Sequence, residues 1–182
     1  MKLSFLLFLL LIIVIVLFSN DGLIKTKASN NKIYYTQKHK SEEAANILSN
    51  VDKFKDKLIK VLVKDNPDNI KIQKLMKKKI NIKEIPKMHN YIAYTLNKNT
   101  LYICLRKNKD KFETNMNALY FVVMHELAHV ISSTIGHTPE FWNNYKLILK
   151  TSIKNKLYNY KNYYVNPITY CNKKIYSTPY VK

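Results

Sequence analysis

Arginine is almost missing from this chain: of 31 basic residues, set against 12 acidic ones, only Arg106 is arginine. The formal charge of +19 would ordinarily point to nucleic acid or an anionic membrane surface as a partner. Base-edge reading and bidentate phosphate recognition, however, favour the planar guanidinium fork over a lysine point charge. Lysine, asparagine, isoleucine and tyrosine are all abundant and all have A/T-rich codons. A solvated lysine surface is therefore the favoured reading, with nucleic acid a disfavoured alternative partner.

Cysteine is also scarce. Cys104 and Cys171 are the whole complement, which excludes a disulfide framework and a Cys-x-x-Cys metal knuckle. Pairing between the two would need an oxidising compartment, and two independent thiols are the favoured expectation.

Long apolar runs are absent but for one. Leu3 to Phe18 is apolar except for Ser4, just short of the roughly 17 residues that span a bilayer, and Leu23 and Ile24 can extend it. No small-x-small cleavage site follows, so a retained anchor is favoured over a signal peptide. The expected layout is a transmembrane anchor over residues 1–24, a polar tether over 25–40 and one domain over 41–182. That makes a single-pass membrane protein, and the flanking lysines lean towards a cytoplasmic domain.

What the domain does contain is ordered periodicity. After Ser41, Glu42 and Glu43, the positions Ala44, Ile47, Leu48, Val51, Phe54, Leu58 and Leu62 recur at helical spacing up to Asn66-Pro67. A lysine-rich helix with Ile72, Leu75 and Met76 inward should follow from Asp68. Tyr91–Leu96 and Thr100–Leu105, broken by Asn97-Lys98-Asn99, read as a β-hairpin. Thr114 is the expected N-cap of a helix over 115–134, with Leu119, Val123, Leu127, Ala128 and Ile131 facing the core and Gly136 at its end. Thr138-Pro139-Glu140 opens another helix. The tyrosine-rich tail from Tyr158, broken by Pro167 and Pro179, should wrap the domain in extended form.

The chemistry concentrates in the run His125-Glu126-Leu127-Ala128-His129. Histidines four apart on a helix share a face, with Cβ atoms about 5–6 Å apart, and can converge on one zinc ion. Glu126, one residue round the helix, sits beside the metal, where a carboxylate can take a proton from the attacking water. A chance match to this pattern is expected in roughly one chain in two hundred of this composition. A catalytic zinc takes three protein ligands and keeps one position open. His137 is the third candidate, because Gly136 can turn the chain back just past the helix; Glu140 is the reserve and His89 a distant third, while His39 reads as a surface residue of the tether. Tyr170 or Tyr164 in the tail could supply an oxyanion donor. The hairpin could hold an extended peptide beside the metal by edge-strand addition.

The run His125 to His129 followed by Gly136-His137-Thr138-Pro139-Glu140-Phe141-Trp142 resembles the WLM/SprT-like group of zinc metallopeptidases. It is similar in particular to short, N-terminally anchored peptidases of large DNA viruses, with a tail element Pro167-Ile168-Thr169-Tyr170-Cys171. The resemblance implies an α+β, zincin-like domain of helices plus a small sheet, one catalytic zinc on His125, His129 and His137, Glu126 as the catalytic carboxylate, and a protein or peptide substrate. Seven residues separate His129 from His137, more than WLM-type members commonly have and fewer than SprT-like ones. Two other readings stand beside this one. The first is a membrane-tethered, non-catalytic zinc protein; the second is a DNA-associated protease recruited by the lysine surface.

Overall fold

The computed structural model describes residues 22–179. The chain opens with an antiparallel hairpin, β1 (Leu23–Lys27) and β2 (Ile33–Gln37). Helices α1 (Ser41–Asp65) and α2 (Ile70–Lys77) then cross to β3 (Asn81–Glu84), which lies parallel to β2. β4 (Ala93–Leu96) and β5 (Thr100–Ile103) form a second hairpin whose β5 arm inserts beside β3. The result is a five-stranded mixed sheet in the order β1-β2-β3-β5-β4, with β4 at one edge. Helices α3 (Met116–Ile131) and α4 (Pro139–Lys154) follow, and a two-stranded hairpin of β6 (Ile168–Tyr170) and β7 (Lys173–Ile175) closes the described chain.

Strand alternation divides the sheet into two faces. Thr36, Ile82, Leu101 and Ile103 point into the core with the buried stripe of α1, which includes Leu48, Val51, Leu58 and Leu62. The side chains of Tyr35, Lys83 and Tyr102 belong to the opposite face. α3 is apolar almost all round: Leu119, Val122, Val123, Met124, Leu127, Ala128 and Ile131 are all buried, the signature of a core helix rather than a surface one. His125 and His129 interrupt that surface.

Several expectations are corrected. The polar tether over 25–40 is instead most of β1, all of β2 and the turn to Lys40, the N-cap of α1, so the folded domain begins before residue 41. Leu23 and Ile24, expected to lengthen an anchor, are the first residues of β1 and pair with Gln37 and Thr36. Among the described residues no helix is long and apolar enough to cross a membrane. The transmembrane helix expected in the fold, and the single-pass membrane placement and cytoplasmic lean built on it, are accordingly not supported. The apolar run Leu3 to Phe18 itself lies outside the described residues.

Cap chemistry accounts for smaller differences. Asn115, not Thr114, caps α3, its side chain accepting from the Ala118 N–H, and Asn69 caps α2 by accepting from Lys71 and Ile72 N–H. α3 ends at Ile131, where the Ser132 hydroxyl donates to the Ala128 carbonyl at 2.7 Å. Met76, expected inward, is exposed, while Ile72 and Leu75 are buried. Cys104 and Cys171 are paired in a disulfide with Cα atoms 6.4 Å apart, against the expectation of independent thiols. The partners are 67 residues apart in sequence, a proximity that only the folded chain reveals. The bridge ties the β6–β7 turn to the end of β5, where the Tyr170 hydroxyl also donates to the Cys104 carbonyl at 2.7 Å. The chain's one arginine is structural: Arg106 Nε donates at 2.5 Å to Glu84, whose carboxylate is fully buried.

Candidate metal centre

α3 places His125 and His129 one turn apart, with both rings against Phe141 of α4 and His125 also against Tyr145, and the α3–α4 loop returns His137 to them. Its Nε2 lies 3.0 Å from that of His125 and 3.2 Å from that of His129. Ligand-capable atoms of the three all lie within 4.8 Å of one another. Among the described residues this is the one group of three or more metal-ligating side chains. Gly136, at φ 83, makes the return possible with the left-handed backbone that a side chain disfavours.

Zinc fits this donor set. Two ligands at 2.0–2.1 Å from a tetrahedral ion stand about 3.3 Å apart, close to the separations seen. Hydrogen bonding alone does not account for them. A neutral imidazole Nε2 either donates once or accepts once, so His137 Nε2 cannot bond both neighbours. Burial, reinforced by the neighbouring imidazoles, pushes His125 down to about 3, and burial pushes His129 down to about 4, helped by His137 and Lys98. Both rings are therefore neutral at physiological pH, the form that ligates.

Glu126 points to the same cleft but does not join the ligand group. It is 3% exposed, and burial raises its carboxyl to about 7, against an opposing hydrogen bond from Thr95. The Thr95 hydroxyl, on β4, donates to Glu126 Oε2 at 2.7 Å. A carboxylate titrating near neutrality beside a metal-ligand set has the properties of a general base. Thr95 escaped the sequence reading because nothing local links a strand threonine to a helix carboxylate 31 positions on.

A cleft of about 490 Å³ opens over these groups, lined by Tyr94, Thr95 and Lys98 on one side and Ile135 and His137 on the other. Two charged side chains hold its rim. Lys98, in the left-handed turn between β4 and β5, donates to the Ser132 carbonyl, to that of Ser133 at 2.9 Å and to that of Thr134 at 3.5 Å. Glu140 accepts from the Ser133 N–H at 2.9 Å, from the Thr134 N–H at 3.2 Å and from both hydroxyls, and it pairs with Lys71 of α2. These contacts hold its carboxyl well below the usual range. The residue reserved as a substitute ligand is thus occupied in bracing the loop that carries His137.

Other candidates lie elsewhere. Tyr170 is fully buried with its hydroxyl committed to Cys104, so it is not an oxyanion donor at this centre. Tyr164 is exposed in the tail. His89 contacts the rings of Tyr91 and Tyr94, and His39 pairs with Asp110.

No family model matches the chain, and no solved structure matches it. The likeness is to viral proteins. The chain is 38% identical over 80 residues to Uncharacterized protein 042R of Invertebrate iridescent virus 3, a match covering 44% of this chain and 49% of that protein. It is 29% identical over 161 residues to Uncharacterized protein R325 of Acanthamoeba polyphaga mimivirus, covering 84% and 81% respectively. A third match, 35% over 72 residues, is to Uncharacterized protein 136R of Invertebrate iridescent virus 6, with 38% of each chain covered. The chain thus spans about half the length of 042R, about two fifths of 136R and most of R325. None of these names states an activity, so the chemistry has to be argued from the site.

Proposed function

We propose that the chain is a zinc-dependent metallopeptidase, with His125, His129 and His137 holding one zinc ion and Glu126 acting as general base. The observation that carries this reading is the convergence of three imidazoles, with 3.0 and 3.2 Å contacts, beside a buried carboxyl raised to about 7. The resemblance to WLM/SprT-like peptidases rests on the same residues.

Zinc held there would polarise a scissile carbonyl and acidify water. Glu126 takes the proton of the attacking water on its carboxylate and delivers it to the leaving amine. Thr95 fixes Oε2 and so orients the Glu126 carboxylate in the cleft lining. β4, the outer strand of the sheet, lines the same cleft, and an extended peptide can pair along its open edge. Among the described residues no fourth Cys, His, Asp or Glu joins the three histidines, so a zinc ion held by them would keep one position open. A purely structural zinc site would close that position.

The test uses two variants of the full chain. Glu126→Gln should keep one zinc per chain and lose peptide hydrolysis by roughly a hundredfold or more, whereas His137→Ala should lose most of the zinc. Full peptidase activity in the Glu126 variant would sink the mechanism, and unchanged zinc content in the His137 variant would remove the ligand assignment.

A further inference from the structure

A second groove, of about 680 Å³, lies past the carboxyl ends of three strands: Gln37, which ends β2, lines it together with Ile85 and Cys104, which follow β3 and β5. It borders the metal cleft. Tyr91 lines the groove and Ala93 lines the cleft, with Ile92 alone between them in the chain. The ring of Tyr94, a cleft residue, lies 5.7 Å from that of His89 and 6.1 Å from that of Tyr91, both of them groove residues. At about 3.3 Å per residue, Tyr91 stands roughly 13 Å along the chain from Thr95, the partner of Glu126.

Packing of the fold leaves two properties of this groove unexplained. The first is charge. Lys38, Lys87, Arg106 and Lys109 line it, and no carboxylate does. Arg106 is spent on Glu84, whereas Lys38, Lys87 and Lys109 are exposed and take part in none of the ion pairs among the described residues. The neighbouring cleft does not offset them, since the one carboxylate in its lining is buried Glu126. The second property is apolar exposure. Met88 is 81% exposed and Tyr91 61%, above the buried Ile85 and Leu105. Single exposed apolar residues are ordinary, but these two stand with three unpaired lysines around one groove.

We infer that this groove receives the part of a peptide substrate that lies about four residues from the bond being cut, and that it selects acidic segments. The inference rests on the metallopeptidase reading above and gives that site its substrate class. A peptide paired along the outer edge of β4 advances about 3.3 Å per residue, so beyond Ala93 it runs over Tyr91 into the groove. There Lys38, Lys87 and Lys109 meet carboxylates as point charges, and Met88 and Tyr91 give the same segment apolar contact. Continuity with a strand edge favours a peptide as the occupant, because a backbone of amides can pair with β4 and a phosphodiester backbone cannot. The net charge of +19 draws acidic chains in from a distance and repels basic ones.

The experiment separates binding from hydrolysis. Fluorescein-labelled 14-residue peptides share one neutral, apolar centre and carry three Glu, three Gln or three Lys at either the N-terminal or the C-terminal end. Affinity is read by anisotropy with the full chain carrying Glu126→Gln, and kcat/KM with the wild-type full chain, both with zinc present. Three Glu at one end, and at that end only, should strengthen binding roughly tenfold over Gln, as three exposed ion pairs together would, and the gain should shrink with salt. Three Lys there should weaken binding, and the wild-type chain should show the same order through KM. Lys38→Gln/Lys87→Gln/Lys109→Gln should bring the Glu peptide down to the affinity of the Gln peptide and leave the latter within about twofold. The control Lys146→Gln/Lys161→Gln, on exposed positions of α4 and the tail, should keep the preference. Equal binding of Glu and Gln peptides, a preference at both ends alike, the same loss in the control, or no binding of any peptide would each overturn the groove, even with hydrolysis intact. A preserved preference without hydrolysis by the wild-type chain would instead overturn the peptidase reading and leave the groove as an acidic-peptide site. Displacement of the Glu peptide by oligothymidylate at lower concentration than by the unlabelled peptide would assign the groove to nucleic acid and overturn the inference.

Discussion

Glu126 shows how the burial of one carboxyl bears on stability. Its carboxyl stands at about 7 in the folded chain against 4.5 for the free side chain. The folded state therefore favours the protonated form. Stability from this residue is fully present below pH 4.5 and is lost as pH rises through 7, by up to about 3 kcal/mol. In chelator-treated protein, Glu126→Gln should remove that loss: urea midpoints of wild type and variant should diverge in the variant's favour between pH 5 and pH 8. His125 works in the opposite direction. Lowered to about 3 from 6.5, it costs stability as pH falls below 6.5, but both proteins share this, so their difference isolates Glu126. A constant difference across the range would mean that Glu126 is not held in the protonated form.

Between elements, the loop from Ser132 to Thr138 is the joint that carries His137 to the candidate metal centre. Its carbonyls are taken by Lys98 from the β4–β5 turn and its amides by Glu140 from α4. Opposite charges thus grip the two polar sides of the segment Ser132–Thr134, three residues before His137. Loosening either grip should cost metal affinity while leaving all three ligands in the chain. Lys98→Met and Glu140→Gln should each weaken zinc binding by roughly ten- to a hundredfold in a competition titration with a chromophoric chelator. Glu140→Asp should recover part of the loss. Wild-type affinity in both variants would show that the loop holds His137 without them.

At the scale of the whole molecule, the tail after α4 is fastened by a few long-range ties. The disulfide closes a loop of 67 residues, which corresponds to about 4 kcal/mol of chain-entropy stabilisation. The Cys171 N–H donates to buried Glu113 at 2.6 Å within the same junction. A reductant should lower the melting temperature of the wild-type chain and leave that of Cys104→Ser/Cys171→Ser unchanged. An unshifted wild-type melt in reductant would mean that the bridge does not contribute. Folding with this bridge closed belongs to an oxidising environment.

The sequence by itself determined what depends on near neighbours. Helical periodicity located α1 and α3, the turn Asn97-Lys98-Asn99 located the second hairpin, and the spacing of His125, Glu126 and His129 put two metal-capable imidazoles and a carboxylate on one helix, because residues four apart on a helix must share a face. Local pattern failed wherever a segment's state depends on distant partners. Residues 25–37 are polar enough to read as a tether, yet they form strands because Thr36 and Tyr34 bury against α1 and pair across the sheet. Only the tertiary structure decided that Cys104 meets Cys171, that Tyr170 turns inward to a carbonyl, and that Glu140 braces the loop instead of binding metal. Thr95 belongs with these. Each is a contact between residues far apart along the chain, or a choice among rival partners, and closure of the fold alone sets which partner lies within reach.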